Sequence, residues 1–162
     1  MHAKRFTVLA GAAAGLAILI SGFAAAGRDQ LTTASGLTVL TLREQADQTN
    51  AWMADRFETL LPALMRRAAI DMWLVISREY NEDPLYFTLV PRPALYSSGT
   101  VVLLFHDKGP GVGVERLCSA PHGVAGGYRN IWRPRVKAQF ETLADAIRQA
   151  DPKRIGINIS AT

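Results

Sequence analysis

Residues 77–86 read SREYNEDPLY. Arg78, Glu79, Tyr80, Asn81, Glu82 and Asp83 place a guanidinium, three carboxylates, a phenol and an amide in consecutive positions. Such a set can recognise a ligand. Arg78 can hold a carboxylate through paired N–H donors, and Tyr80 or Asn81 can orient a polar group. The plainer alternative is a surface turn in which Arg78 and Glu82 form an ion pair worth about 0–1 kcal/mol. Asp83 has a structural reason of its own. Asp-Pro opens helices, because the carboxylate caps free N–H groups and proline has no N–H to lose. Substrate or subunit contact suits this loop better than catalysis.

Other chemistry is thinly provided. Beyond the N-terminal segment the histidines are His106 and His122, and the chain has one cysteine, Cys118. A zinc site takes three or four protein ligands, which the Cys118/His122 pair does not reach. His106 sits in HDKG, which reads as a solvent-exposed turn. GPGVG, residues 109–113, reads as a hairpin loop. No HExxH, G-x-S-x-G, P-loop or strand-linked G-x-G-x-x-G occurs. Residue counts leave a Ser-His-carboxylate triad open, but no spacing points to one.

The loop must be held by neighbouring elements, and these are legible. A helix is expected from Asp47 or Asn50, with Trp52, Met53, Phe57, Leu60, Leu61, Leu64 and Met65 at intervals of three and four. Pro62 should kink or restart it. Arg66 and Arg67 suit its C-terminal turn. The run 72–76 reads as a strand buried on both faces, as in a parallel sheet. TVVLLF and VERL form a hairpin about HDKG, so the sheet is mixed. Val136, Phe140, Leu143, Ala144 and Ile147 share one face of a helix over 136–150, which Asp151-Pro152 ends. RIGINIS, residues 154–160, alternates and reads as a strand. The fold class is α/β, a mixed β-sheet flanked by helices.

Residues 1–26 have the build of a secretory signal: Lys4 and Arg5, an uncharged run, then Ala24-Ala25-Ala26. The alternative is an uncleaved inner-membrane anchor over 6–26, about the 20 residues a span needs. Both place the remainder in an exported, periplasmic or secreted location. Residues 27–46 read as a linker and 47–162 as the domain. Without residues 1–26 the chain holds sixteen basic and fourteen acidic residues, a net charge of +2. Arg133, Arg135 and Lys137 cluster but lack aromatic interleaving, so no nucleic-acid partner is expected. Cys118 has no intrachain partner and suits a small core position.

In order, RFETLLPALMRRAAID, MWLVISREYNEDPLY, TVVLLF, VERL and FETLADAIRQADPKRIGINIS resemble the N-terminal domain of the creatinase/prolidase family of metallopeptidases, the Xaa-Pro peptidases. The resemblance covers residues 50–160 and is most specific over 69–86 and 150–160. It implies a ribonuclease-H-like arrangement and a second, catalytic domain of "pita-bread" fold. That domain would hold two divalent metals, Mn or Zn, through two Asp, one His and two Glu. A bimetal centre polarises the hindered Xaa-Pro carbonyl and supplies hydroxide. No residue of this chain aligns with those ligands, so no cofactor is expected on it and no peptidase activity from it alone. The implied partners are a C-terminal catalytic domain of the same polypeptide, a second copy in a homodimer, and a peptide substrate. The role at the active site falls on residues 78–83. Family members continue past the last strand, which implies truncation within the first domain. A stand-alone module that binds a ligand or partner without chemistry is the alternative.

Overall fold

In this computed structural model the described residues are 39–159. The export segment, most of the expected linker and residues 160–162 lie outside them.

Helix α1 (Leu42–Glu58) starts earlier than its apolar pattern, inside the expected linker. The cause is a capping box. Glu44 N–H donates to Thr41 Oγ1 at 3.3 Å, and Thr41 N–H donates to Glu44 Oε2 at 2.9 Å. This reciprocal pairing satisfies two otherwise free donors and starts a helix upstream of Asp47. The helix breaks at Thr59 and restarts as α2 (Leu60–Arg67). Pro62 then lies in the first turn of α2, where its missing N–H costs nothing. Met53, Phe57, Leu61 and Met65, four residues apart, are buried, whereas Trp52, Leu60 and Leu64 stay exposed.

The remaining elements are β1 (Met72–Arg78), α3 (Tyr86–Leu89), β2 (Thr100–Asp107), β3 (Val114–Ser119), β4 (Arg129–Asn130), α4 (Gln139–Ala150) and β5 (Ile155–Ile157). They build one five-stranded sheet in the order β4-β3-β2-β1-β5. β1 runs antiparallel to β2, with Met72 opposite His106 and Arg78 opposite Thr100. β2 and β3 form the expected hairpin, β5 is parallel to β1, and β4 is parallel to β3. The sheet is therefore mixed α/β, with helices on it.

Central β1 and β2 are buried because both sheet faces are covered, not because their neighbours are parallel. Ile76 departs from the expectation and is exposed. Every β2 residue from Val101 to Phe105 is buried. Val101, Leu103 and Phe105 pack with α1, α2 and α3, and Val102 and Leu104 pack with Leu143 of α4.

α4 begins three residues later than expected. Arg135 has φ +77°, a left-handed conformation that cannot continue a helix, so residues 134–137 form a turn. Val136 and Phe140 are consequently exposed, and Leu143 is the buried residue of α4. Asp151, left-handed at φ +46°, ends α4 just before Pro152, as the sequence suggests. β5 is shorter than RIGINIS. After Ile157 the Asn158 side chain replaces the backbone ladder: Ile76 N–H donates to Asn158 Oδ1 at 2.9 Å, and Asn158 Nδ2 donates to Ile76 O at 3.1 Å.

Candidate functional site

The loop leaves the carboxyl end of β1, a strand with an antiparallel neighbour on one side and a parallel one on the other. It turns at once. Asn81 N–H donates to Arg78 O at 2.9 Å, and Tyr80 sits at the apex with φ +65°. A left-handed tyrosine costs about 1–2 kcal/mol, so other contacts must hold the turn.

Those contacts come from the carboxylates. Glu79 N–H donates to Gly99 O at 2.8 Å, and Gly99 N–H returns a bond to Glu79 Oε2 at 2.8 Å. Gly99 has φ +64°, a conformation that favours glycine at this crossing. Ser97 N–H donates to Glu82 Oε1 at 3.1 Å. Asp83 Oδ1 accepts from Leu85 N–H at 2.8 Å, and its carbonyl accepts from Tyr86 N–H at 2.9 Å. Asp83-Pro84 therefore forms a turn just ahead of α3 and not its cap: α3 begins at Tyr86 with Leu85 at its N-cap and no side-chain capping bond. Asp83 Oδ2 also accepts from Asn158 Nδ2 at 2.6 Å. Asn158 thus bonds both β1 and the loop. At the other end of β1, Asp71 Oδ2 accepts from the N–H groups of Lys153 and Arg154 at 2.9 and 2.8 Å. Residues 71–83 and 153–158 are stapled together at both ends.

The six candidate residues therefore divide. Glu79, Glu82 and Asp83 are committed to holding the loop. Arg78, Tyr80 and Asn81 have exposed side chains, Tyr80 with 93% of its surface accessible. Among the described residues no ion pair joins Arg78 to Glu82, whose carboxylate bonds Ser97 instead. Glu79, Tyr80 and Glu82 line a hollow of about 300 Å³ with Tyr96. Tyr96 also walls a second hollow of about 450 Å³, which Tyr86, Pro93, Pro121 and His122 help to line. Burial pushes the Tyr86 phenol above its usual range, with nearby Cys118 and Glu82 adding to the shift.

Tyr96, Gly99 and Asn158 are the residues that sequence reasoning missed. A polar residue inside the alternating run RIGINIS was the available signal for Asn158. Nothing local marks Tyr96 or Gly99, which reach the loop through the β1–β2 pairing.

The other candidates separate. His106 is not in the turn but in β2, partly buried. Burial, then the Lys108 charge, lowers its pKa and favours neutral imidazole. Cys118 is fully buried in β3, and burial raises its thiol pKa, as befits an inert core residue. His122 lies exposed in the turn after that strand, so the four-residue spacing brings no pair together. The buried hydroxyls of Ser77, Ser97 and Ser119 have no hydrogen-bond partner, so none is engaged by a base. Among the described residues no three His, Cys, Asp or Glu side chains are grouped to hold a metal ion. No described helix is long and apolar enough to cross a membrane; residues 6–26 lie outside the described residues.

No family model, no curated protein and no solved structure matches this chain. The chemistry must be read from the geometry. The Tyr80 phenol, the tethered Glu79 and Glu82 carboxylates and the Tyr96 ring bound one small hollow, and the exposed Arg78 and Asn81 side chains lie on the same loop outside its lining. That arrangement can bind and orient a polar chain; it offers no activated nucleophile.

Proposed function

We propose that this chain is the non-catalytic N-terminal domain of an exported Xaa-Pro metallopeptidase of creatinase/prolidase type. Its 78–83 loop lies over an active site that a catalytic domain of the same polypeptide supplies, and it contributes to a homodimer. The two divalent metals belong to that other domain. The mixed sheet flanked by helices agrees with this reading, as does a loop at the carboxyl end of a central strand, where open α/β sheets gather ligand contacts. The observation that carries it is the division within the loop. Three carboxylates hold the backbone against residues 97, 99 and 158, and Arg78, Tyr80 and Asn81 are left outward. A loop of purely structural purpose would not need a strained, almost fully exposed tyrosine at its apex.

The test is the reading frame downstream of Thr162 in the source genome. The expected result is a continuation into a domain bearing two Asp, one His and two Glu. A stop codon there overturns the peptidase reading and leaves the stand-alone binding module, for which the two hollows around Tyr96 are the surface to probe. Cleavage of a Xaa-Pro dipeptide by this chain alone with Mn²⁺ or Zn²⁺ would also overturn it.

A further inference from the structure

Another hollow lies at the opposite end of the sheet from the loop. It encloses about 660 Å³ between α4 and the β2–β3–β4 side of the sheet. Along this sheet face the apolar row Val102 and Leu104 ends at His106, and the row Ser119 and Leu117 ends at Glu115. The register sets His106 directly opposite Glu115. The floor of the cleft thus changes from hydrocarbon to charge.

The charges do not cancel. Glu115 is shared by two cations, Lys108 Nζ at 3.1 Å and Arg129 Nη2 at 2.8 Å. Asp145, on the α4 wall, is likewise shared by Lys137 and Arg148. Arg133 lines the cleft with no carboxylate partner among the described residues. Three cations, Lys108, Arg129 and Arg133, line the cleft against two carboxylates, Glu115 and Asp145, and Lys137 and Arg148 reach Asp145 from outside the lining. A concave site with an excess of one sign concentrates ions of the other. Lysine and arginine donors suit phosphoryl and carboxylate oxygens, arginine through its paired N–H fork. Thr142, Asn130 and Gln149 add polar side chains to the lining. The cleft shares no residue with the 78–83 loop or its hollows.

We propose that this cleft binds a small multivalent anion, phosphoryl or carboxylate, with Arg133, Arg129 and Lys108 as its cationic contacts. The site is independent of the peptidase reading and stands whether or not a catalytic domain follows.

Titration of the 162-residue chain with inorganic pyrophosphate and, separately, with citrate tests it, at ~0.15 M salt to screen diffuse attraction. Calorimetry gives the affinity, and amide chemical shifts locate the binding. One saturable site is expected, with Kd on the order of 1 mM or tighter. Shifts should centre on residues 106–108, 129–133 and 142–149. Pyrophosphate binding without citrate assigns a phosphoryl ligand, citrate without pyrophosphate a carboxylate one, and comparable binding of both a site read by charge. Arg133→Glu should weaken binding at least about tenfold, a loss of about 1.4 kcal/mol. Arg43→Glu on α1, which reverses the same charge outside the cleft, should leave it unchanged. No saturation by either anion overturns the proposal. So does equal weakening by the two variants, which would report net charge alone.

Discussion

The two faces of one sheet are covered to different depths. Val101, Leu103 and Phe105 of β2 meet α1, α2 and α3. There Phe57, Trp73, Phe105 and Tyr128 form a chain of rings with centroids 5.4 to 6.1 Å apart. The Arg116 guanidinium lies 4.9 Å from the Phe57 ring, and Tyr128 Oη donates to Leu89 O at 2.7 Å. On the opposite face Val102 and Leu104 meet α4 through Leu143, with Ile147 and Ala150 beside it. Phe140 on that helix and Ile76 and Ile157 on the sheet remain exposed. An amphipathic pattern shows which side of an element can be buried. How much of it is buried depends on the number of partners that arrive.

Breaking the deep face should cost most. Phe105→Ala is expected to destabilise the domain by about 3–5 kcal/mol, because a rigid aromatic cluster collapses little around the cavity. Urea unfolding checks this, and a loss below about 1 kcal/mol would deny that this face is the main core. On the shallow face Leu143→Ala should cost about 2–3 kcal/mol, at the low end for a buried leucine. Phe140→Ala, one turn earlier on α4, should change stability by under about 0.5 kcal/mol. Equal losses at 140 and 143 would mean that α4 is buried along its whole apolar stripe.

Asn158→Ala removes hydrogen bonds to both Ile76 and Asp83, and about 1–2 kcal/mol should be lost. Amide hydrogen exchange should quicken at Ile76 and Leu85 while the deep-face core keeps its protection. Uniform quickening would show that the staple is part of the global core and not a local device.

A smaller effect sharpens the comparison at the edge of the deep face. Arg66 holds Asp107 through two bonds, Nε to Oδ2 at 2.7 Å and Nη2 to Oδ1 at 2.8 Å. The Arg66 hydrogen bonds, opposed by burial and aided by the Gly109 N–H, hold the Asp107 carboxyl below its ordinary value of about 3.9. The unfolded chain therefore takes up this proton more readily than the folded one. The stabilisation is fully present above the ordinary value and is lost as pH falls through the depressed folded value. Asp107→Asn should flatten the stability–pH curve below about pH 4 and leave its slope near neutrality unchanged. An unchanged acid limb would assign that slope to other carboxylates, Glu115 and Asp145 among them.

Much of the architecture was legible in the residues. Met53, Phe57, Leu61 and Met65 recur at helical spacing and are buried together. TVVLLF and VERL pair as a hairpin, whereas Asp83-Pro84 makes a turn ahead of α3, whose N-cap is Leu85. The start of α1 is also written in the sequence, since T-x-x-E at 41–44 is a capping box, but it lies upstream of the apolar periodicity. The site was less legible. Its residue types are local, yet their division between scaffold and contact surface is not. Glu79 is a tether because Gly99 lies opposite, and Glu82 is one because Ser97 does.

The sequence by itself determined the two long helical regions, strands β1, β2, β3 and β5, that the sheet is mixed, and where charge gathers at residues 78–83, but not strand β4. Side-chain periodicity and the hairpin spacing act over a few residues and are written in order along the chain. Only the tertiary structure decided that Phe140 and Ile157 stay exposed while Leu143 is buried. It alone set Asn158 between β1 and the loop, and gathered Lys108, Arg129 and Arg133 around one cleft. Those outcomes depend on sheet order and on which helix covers which face, relations between distant segments that no local pattern encodes.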